Sequence, residues 1–252
     1  YGSNNCFSWV YVVAKENNTV VEITPSVPTR NGRVAAVPFT ATLNKGQIYQ
    51  VIGASITSST GHELTGTHVK SIANAAGVCH PVAVFAGSSR TAISCPVGGS
   101  GSGDNIMQQI FSFQAWGKRY LTAPFSKDNA ANSVNSHLLR IAVRDPGTIV
   151  KVNGNQLTTG LINNFYYQIQ SNTADYIEAD KPILVAQYMP SSGSCGFTGN
   201  GDPEMIYLSP IEQAIKRVGF YRNTEENITV NYLTLIIPTD GLSSLRIDGS
   251  PA

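Results

Sequence analysis

The sequence has few charged residues and no excess of either sign. Only 13% of its 252 residues are charged, and 17 Lys and Arg nearly balance 16 Asp and Glu. Binding to nucleic acid or to an anionic membrane surface usually needs a strong positive excess, so neither partner is expected. No apolar run approaches the length of a membrane helix, and membrane insertion is therefore not expected either.

The short motifs of common hydrolases are also missing. No GxSxG elbow is present, although a serine nucleophile in an α/β-hydrolase needs that sharp turn. His62 and His68, in "GHELTGTHV", are too far apart for an HExxH zinc helix. These histidines are expected to lie on the surface or on strands, without a catalytic role.

Cysteine is scarce, and none of the four cysteines stands in a CxxC or CxxH pair, which argues against a thiolate metal site. Cys79 and Cys95 are expected to close a loop around "PVAVFAG" in an oxidising compartment, with a stabilisation of about 3 kcal/mol. Cys6 and Cys195 would then pair across the fold. Four cysteines allow three pairings, and buried free thiols are the alternative.

Asn, Ser, Thr and Gly are abundant, and short segments rich in β-branched and aromatic residues recur between them. This pattern predicts an all-β protein. The segments His137–Gly154 and Phe165–Ala179 are predicted to be hairpins. The apolar run "ILVAQYM", after a break at Asp180-Lys181-Pro182, is predicted to be a central strand.

Internal repetition is the main feature of the sequence. "SWVYVVAKENNTVVEITP" (8–25), "LLRIAVRDPGTIVKVNG" (138–154) and "YLTLIIPTDGLSSLRIDG" (232–249) each predict strand, turn and strand. "HPVAVFAG" (80–87) matches "KPILVAQY" (181–188). Gly103-Asp104, Met107 and Lys118-Arg119 align without a gap with Gly201-Asp202, Met205 and Lys216-Arg217.

The repeats predict tandem antiparallel β-sandwich-like units of about 100 residues. The first unit, with insertions, would span residues 1–130, the second 131–227, and the start of a third, truncated unit 228–252. A β-propeller-like arrangement of the same repeats is the alternative, with two four-stranded blades in each unit. Because Tyr1 is not an initiator methionine, the chain is expected to be an excerpt of a longer protein.

A feature that recurs in each unit is expected to serve the scaffold, so a specific role must rest on what does not recur. Gln108 and Trp116 do not repeat and are candidate binding residues. Asp104, Asp202 and Glu204 are further candidates, because a glycoside hydrolase needs two acids about 5–10 Å apart. The loops "GGSGSGDN" and "TGNGDPE" could hold calcium, although they lack the alternating acids of an EF-hand. No other cofactor is expected.

Several motifs together resemble a known family. "VVAKENNTVVEITP", "LNKGQIYQV", "HPVAVFAGSSRT", "WGKRYLTAPFS", "ADKPILVAQYM" and "GDPEMIYLSPIEQ" are similar to the family named after the amino-terminal region of the IgG Fc-binding protein. The similarity is strongest to the version in large secreted surface and gliding-motility-associated proteins of Bacteroidota. The resemblance covers nearly the whole chain and implies an extracellular, non-enzymatic module. It supplies no binding residue to transfer.

The sequence thus favours a secreted cell-surface or filament-forming adhesin or structural module. Its expected partners are glycans, mucus glycoproteins or other copies of itself. The alternative is a secreted polysaccharide hydrolase that uses Asp104 with Asp202 or Glu204 as its two acids.

Overall fold

The computed structural model describes residues 7–58, 60–94, 103–126, 134–195, 202–215, 217, 219, 221, 225, 231–247 and 249–251. Strands dominate these residues, and their only helices are short 3-10 turns at Phe113–Ala115, Ile211–Gln213 and Thr239–Ser244. The all-β prediction is confirmed. The strands are β1 (Ser8–Ala14), β2 (Thr19–Thr24), β3 (Phe39–Leu43), β4 (Ile48–Ile52), β5 (His68–Ile72), β6 (Val82–Thr91), β7 (Asp104–Gln109), β8 (Gly117–Leu121), β9 (Phe125–Ser126), β10 (Val134–Asn135), β11 (His137–Val143), β12 (Val150–Val152), β13 (Asn155–Gln156), β14 (Tyr166–Ser171), β15 (Tyr176–Met189), β16 (Glu204–Tyr207), β17 (Arg246–Ile247) and β18 (Ser250–Pro251).

Strands β1 to β7 form two antiparallel sheets, here called the first unit. One sheet has the order β4-β1-β6-β7 and the other β3-β2-β5. Burial alternates along β2, as a strand with one face on a core requires. The core contains Val12 from one sheet and Val21 and Ile23 from the other, all fully buried. Each such side chain stabilises the fold by about 1.5–3 kcal/mol, so this core joins the two sheets into a sandwich.

The second unit comprises β11 to β16, which form a seven-stranded sheet with β8 around the long strand β15. The first half of β15 pairs with β12 and β8, and its second half pairs with β11 and β16. The register shifts between Glu178 and Ile183, and Pro182 lies in this interval, where its missing N–H leaves no ladder bond unmade. The run "ILVAQYM" is therefore central, as predicted, but the strand continues through the predicted break.

The two units repeat the same pairing scheme. In the first unit β1 lies between β4 and β6, and β6 pairs with β7; in the second β11 lies between β14 and β15, and β15 pairs with β16. The registers also agree, because Gly87 pairs with Met107 where Tyr188 pairs with Met205. Similar sequence segments therefore occupy equivalent positions in two copies of one β arrangement. Nothing among the described strands forms a propeller.

Strand β8 follows the first unit in sequence but belongs to the sheet of the second. It pairs with the first half of β15 through Ile177↔Tyr120 and Glu178↔Arg119. Tyr120 is fully buried there, and its hydroxyl donates a hydrogen bond to the carbonyl of Ile183 at 2.6 Å. A strand that follows the first unit in sequence thus completes the sheet of the second unit.

Both predicted hairpins are wrong in their pairing. Strands β11 and β12 join at a turn in which the N–H of Gly147 donates to Asp145 Oδ1 at 2.8 Å, yet they do not pair with each other, because each pairs with a different half of β15. Strands β14 and β15 are separated by β11. The predicted alternation is confirmed, since Leu139, Ile141 and Val143 are buried, but short turns also connect strands that do not pair with each other.

The predicted strand at the start of the third repeat is not formed either. Residues 231–238 have no regular secondary structure, and the predicted turn at Asp240-Gly241 lies in a 3-10 helix. The apolar side chains of this segment are exposed. Strands β1 and β11 are stabilised by two flanking strands, and no described strand takes those places beside residues 231–238.

Candidate binding surface

One face of the sheet β4-β1-β6-β7 points away from the core. Because Val10 and Val12 face the core, Trp9 and Tyr11 lie on the opposite face. Their rings stack with centroids 4.2 Å apart and 19° between the planes. Gly87 pairs with Trp9 across β6, and a Cβ at Gly87 would lie 2.9 Å from the indole. The same Cβ would lie 1.9 Å from the carbonyl oxygen of Ile106, so glycine is needed for the close approach of both β7 and the indole to β6.

A shallow cavity of about 400 Å³ opens on this face. The amide of Gln50 donates to the Tyr11 hydroxyl at 2.9 Å, and the Arg30 guanidinium lies 5.0 Å from the centroid of the Phe7 ring. An aromatic floor with amides at its edge can accept apolar side chains or the apolar face of a sugar. The lining residues are Phe7, Trp9, Tyr11, Gln50, Ile52, Ser89, Asn105 and Met107.

The corresponding face of the second unit is covered by the first unit. Arg140 Nη1 donates to Glu63 Oε1 at 2.6 Å, and Arg140 Nε donates to Gln168 Oε1 at 2.9 Å. The guanidinium also lies 4.9 Å and 5.3 Å from the ring centroids of Tyr166 and Tyr188. Glu63 belongs to the segment between β4 and β5, so this cluster fastens the first unit to the second.

The charge state of this cluster is fixed by its surroundings. Burial opposes the charged form of Arg140, but charge interactions with Tyr188 and Glu63 outweigh it and hold the Arg140 pKa above its ordinary value. Burial raises the pKa of Tyr166 to about 12, against the influence of Arg140. The Tyr166 hydroxyl donates to Glu63 Oε2 at 3.2 Å. Around neutral pH, Arg140 therefore stays charged and Tyr166 stays a neutral donor.

Apolar contacts extend the seam between the units. A Cβ at Gly66 would lie 2.3 Å from Cγ of Phe165, so the loop before β5 packs closely on the segment before β14. Ile93 and Ile106 of the first unit pack into a buried cluster with the second. The other members of this cluster are Leu138, Ala186, Tyr188, Met205, Cys195 and Tyr207.

His68 lies at the same seam, at the start of β5, as expected of a strand histidine. Its ring stacks on Phe113 with centroids 5.5 Å apart, and the Arg144 guanidinium lies 4.9 Å from the Phe113 ring centroid. Burial, and next the charge of Arg144, lower the pKa of His68. His68 is therefore neutral around pH 7 and serves packing.

Equivalent positions in the two units differ sharply in exposure. Met107 is 55% exposed, whereas Met205 at the same register position is 4% exposed. Ile48 is 58% exposed, whereas its counterpart Tyr166 is 5% exposed. The first unit thus leaves open an apolar face that is buried in the second.

The three predicted acids lie at exposed strand ends. Asp104 begins β7, where its Oδ1 accepts the N–H of Asn105 at 2.6 Å, and Glu204 begins β16 opposite Met189. Asp202 is exposed just before β16. None of the three is among the residues that line the cavity. Their role in binding or hydrolysis stays a prediction.

The two other predicted binding residues are half-buried. Gln108 lies on β7 opposite Ala86. Trp116 ends the 3-10 turn before β8, where its indole N–H donates to the Phe111 carbonyl at 3.3 Å and its ring meets Phe113 edge-on at 4.7 Å. These contacts give Trp116 a structural task, and a binding role for either residue stays a prediction.

The sequence prediction missed the residues that form the open face. Trp9, Tyr11 and Gln50 lie on strands that it had assigned to scaffold. The signal that could have found them is a difference between repeats: Trp9 and Tyr11 stand where the second unit has Leu138 and Arg140.

The predicted disulfide between Cys79 and Cys95 is wrong. Cys79 is a free, exposed thiol in the turn before β6, whereas Cys195 is disulfide-bonded. The partner of Cys195 is therefore Cys6 or Cys95, and both lie outside the described residues. A short loop between two cysteines favours the predicted pair, but Cys195 is partly buried against the apolar cluster that lies at the seam between the units.

No metal cluster is found within the part of the chain that the structure describes: nowhere there do three His, Cys, Asp or Glu side chains gather. The two loops suggested for calcium lie largely outside that part, at residues 98–105 and 198–204. Calcium binding stays a prediction.

None of the helices in the described residues is long and apolar enough to cross a membrane. Searches of curated proteins and of solved structures find no match to the chain. The family model of the IgGFc-binding protein matches residues 1–252. The chain therefore belongs to the IgGFc-binding protein family.

Proposed function

We propose that the chain is a cell-surface or filament-forming structural module that binds a neighbouring protein subunit through the open face of its first unit. The observation that carries this proposal is the contrast between Met107 and Met205. Both occupy one register position, but only Met205 is covered by a neighbouring unit. Exposed apolar surface of this kind is typical of interaction sites.

The chemistry of the open face indicates what the partner presents. The second unit has Arg140 on this face, and Glu63 of the first unit forms an ion pair with it. The first unit has Tyr11 there instead, so its partner needs no carboxylate. Met107 and Ile48 favour an apolar partner surface, comparable to the one that Ile93 and Ile106 offer to the second unit.

Sedimentation velocity over a wide concentration range tests self-association through this face. Met107→Lys should weaken it, because a cation would be desolvated in the contact. Ile149→Lys is the matched control, since Ile149 is also an exposed apolar residue but lies before β12. A chain that stays monomeric at every concentration, and in electron micrographs of concentrated protein, would contradict binding between copies.

A glycan is the second candidate ligand, because the stacked rings of Trp9 and Tyr11 lie beside Gln50 and Asn105 in one cavity. Aromatic rings with amides nearby suit the apolar and polar faces of a sugar. Tyr11→Ala should then abolish retention on immobilised mucin, while Tyr49→Ala, on the opposite face of the sheet, should not. Equal retention of both variants would exclude the cavity as the glycan site.

The hydrolase alternative needs Asp104 and either Asp202 or Glu204 in one cleft. The exposed positions of the three acids do not favour it. Incubation of the chain with mucin and plant and bacterial polysaccharides, followed by a reducing-sugar assay, tests it directly. Hydrolysis that disappears in Asp104→Asn would restore this alternative and overturn the proposal.

A further inference from the structure

The outer edge of β5 is unpaired, although its counterpart in the second unit is not. Strand β5 pairs with β2 alone among the described residues. The pair Val21↔Ser71 corresponds to Val150↔Ala179, so β5 corresponds to the first half of β15. That half is paired on its outer edge with β8.

Alternate residues of β5 direct their backbone N–H and C=O groups to its outer edge, where an added strand could pair. In β15 the carbonyl of Tyr176 accepts from Asn153 on the β12 side, and the carbonyl of Asp175 accepts from Thr122 beside β8. Alternate residues of a strand turn their N–H and C=O groups to opposite edges. Ile177 and Ala179 therefore face β8, and their counterparts Val69 and Ser71 face outward from β5.

The core beneath this edge is less complete in the first unit. In the second unit, Ile177 on β15 pairs with Tyr120 on β8, and both side chains are fully buried. Val69, at the position of Ile177, is only partly buried. A large side chain opposite Val69, in the place of Tyr120, would complete the burial.

The charges at the two edges are reversed. In the second unit Glu178 faces Arg119 on β8 and forms an ion pair with Lys151 at 3.8 Å. Lys70 takes the position of Glu178 in the first unit and has no ion pair within the described part of the chain. Charge on an edge strand often discourages pairing, but Glu178 shows that a charge at this position is compatible with an added strand.

We propose that β5 accepts an extended strand donated by the neighbouring subunit. The strand runs antiparallel to β5, places an aromatic residue opposite Val69 and an acidic residue opposite Lys70. This inference deepens the proposed function, on which it rests, by stating what kind of segment of the neighbour is bound. Main-chain hydrogen bonds would supply affinity, and the two side chains would supply specificity.

Synthetic peptides test the proposal with a matched pair. The first probe has the sequence of residues 115–123, "AWGKRYLTA", and the second is the same peptide with Arg119→Glu. Binding to the 252-residue chain is followed by amide chemical shifts and hydrogen exchange at Val69 and Ser71. The Arg119→Glu peptide should bind more tightly, by about two- to fivefold, because it replaces a like charge with an opposite one beside Lys70.

A charge exchange on the protein provides the control. The chain with Lys70→Glu should reverse the preference and favour the unmodified peptide. A peptide that also carries Tyr120→Ala should bind more weakly to both proteins. Shifts confined to Ile177 and Ala179 would mean displacement of β8 and would overturn the proposal, as would unchanged amides in β5 at saturating peptide.

The outcomes also separate this inference from the proposed function. If neither peptide affects β5 while Met107→Lys still abolishes self-association, strand donation is wrong and subunit binding stands. If the Arg119→Glu peptide protects Val69 while the chain never self-associates, the edge accepts strands and the proposed contact between copies is wrong.

Discussion

Replacing Gly66 by alanine tests whether the loop before β5 is packed against the second unit. Gly66 has a φ of +92°, and a Cβ there would lie 2.3 Å from Cγ and 2.9 Å from Cβ of Phe165. Gly77 has a similar φ of +78°, but nothing lies within 4 Å of its Cβ position. The two substitutions share the backbone strain, and only Gly66→Ala adds a collision.

The expected magnitudes follow from these two terms. A left-handed alanine costs about 1–2 kcal/mol, and the lower freedom of the unfolded chain offsets about 0.4–1 kcal/mol of that. Gly77→Ala should therefore lower the free energy of unfolding by about 0–1.5 kcal/mol. Gly66→Ala should lower it by about 1–3 kcal/mol more, because Cβ of Phe165 must move as well as its ring.

Urea unfolding followed by tryptophan fluorescence measures both changes. The double variant Gly66→Ala with Phe165→Ala should lose less stability than the sum of its single variants, since truncating Phe165 removes the collision. If Gly66→Ala and Gly77→Ala agree within about 0.5 kcal/mol, the close packing at this seam is absent and the reasoning fails.

Three other predictions concern the charged cluster, a buried histidine and the cysteines. Glu63→Gln should lower the free energy of unfolding by about 1–2 kcal/mol. A double-mutant cycle with Arg140→Gln should show that the two substitutions are energetically coupled. Additive effects would mean that Glu63 and Arg140 do not interact. His137 is fully buried, with both ring nitrogens lacking a hydrogen-bond partner, and burial lowers its pKa. The unfolded chain therefore binds this proton more readily, so stability is complete above the unfolded pKa of about 6.5 and falls below it by up to about 1.4 kcal/mol per pH unit. The slope between about pH 7 and 5 should be shallower in His137→Gln, and equal slopes would count against this assignment. Non-reducing peptide mapping should recover Cys79 as an alkylated thiol and Cys195 in a cross-linked peptide; a free Cys195 would refute the second assignment.

The fold class could be predicted from the sequence because alternation and repetition are local signals. Leu139, Ile141 and Val143 alternate with less buried neighbours on β11, as the pattern indicated. Pairing partners could not be predicted in the same way, because a short turn at Asp145 has the same sequence signal whether its two strands pair with each other or, as here, both pair with a third strand. The equivalence of the pair Gly87↔Met107 in the first unit to the pair Tyr188↔Met205 in the second is seen only in the folded structure.

The candidate site was harder to predict, because its residues are ordinary strand residues. Asp104 and Trp116 are prominent through their chemistry, yet the accessible residues of the open face are Tyr11, Ile48 and Met107. An aromatic residue on a β-strand has the same local signal whether a neighbour covers it or not. Only the comparison of equivalent exposed and buried positions distinguishes the two cases.

The second unit provides an internal reference for what the first unit lacks. Its covered face receives Glu63 of the first unit, and its completed edge receives β8, the strand between the two units in sequence. The reversal from Glu178 to Lys70 means that a donor carrying arginine, such as β8, suits the edge of β15 better than the edge of β5. Two edges with the same backbone geometry and opposite charge select different donors. Units assembled by this rule would therefore follow a defined order, because like charges would disfavour strand exchange between non-adjacent positions.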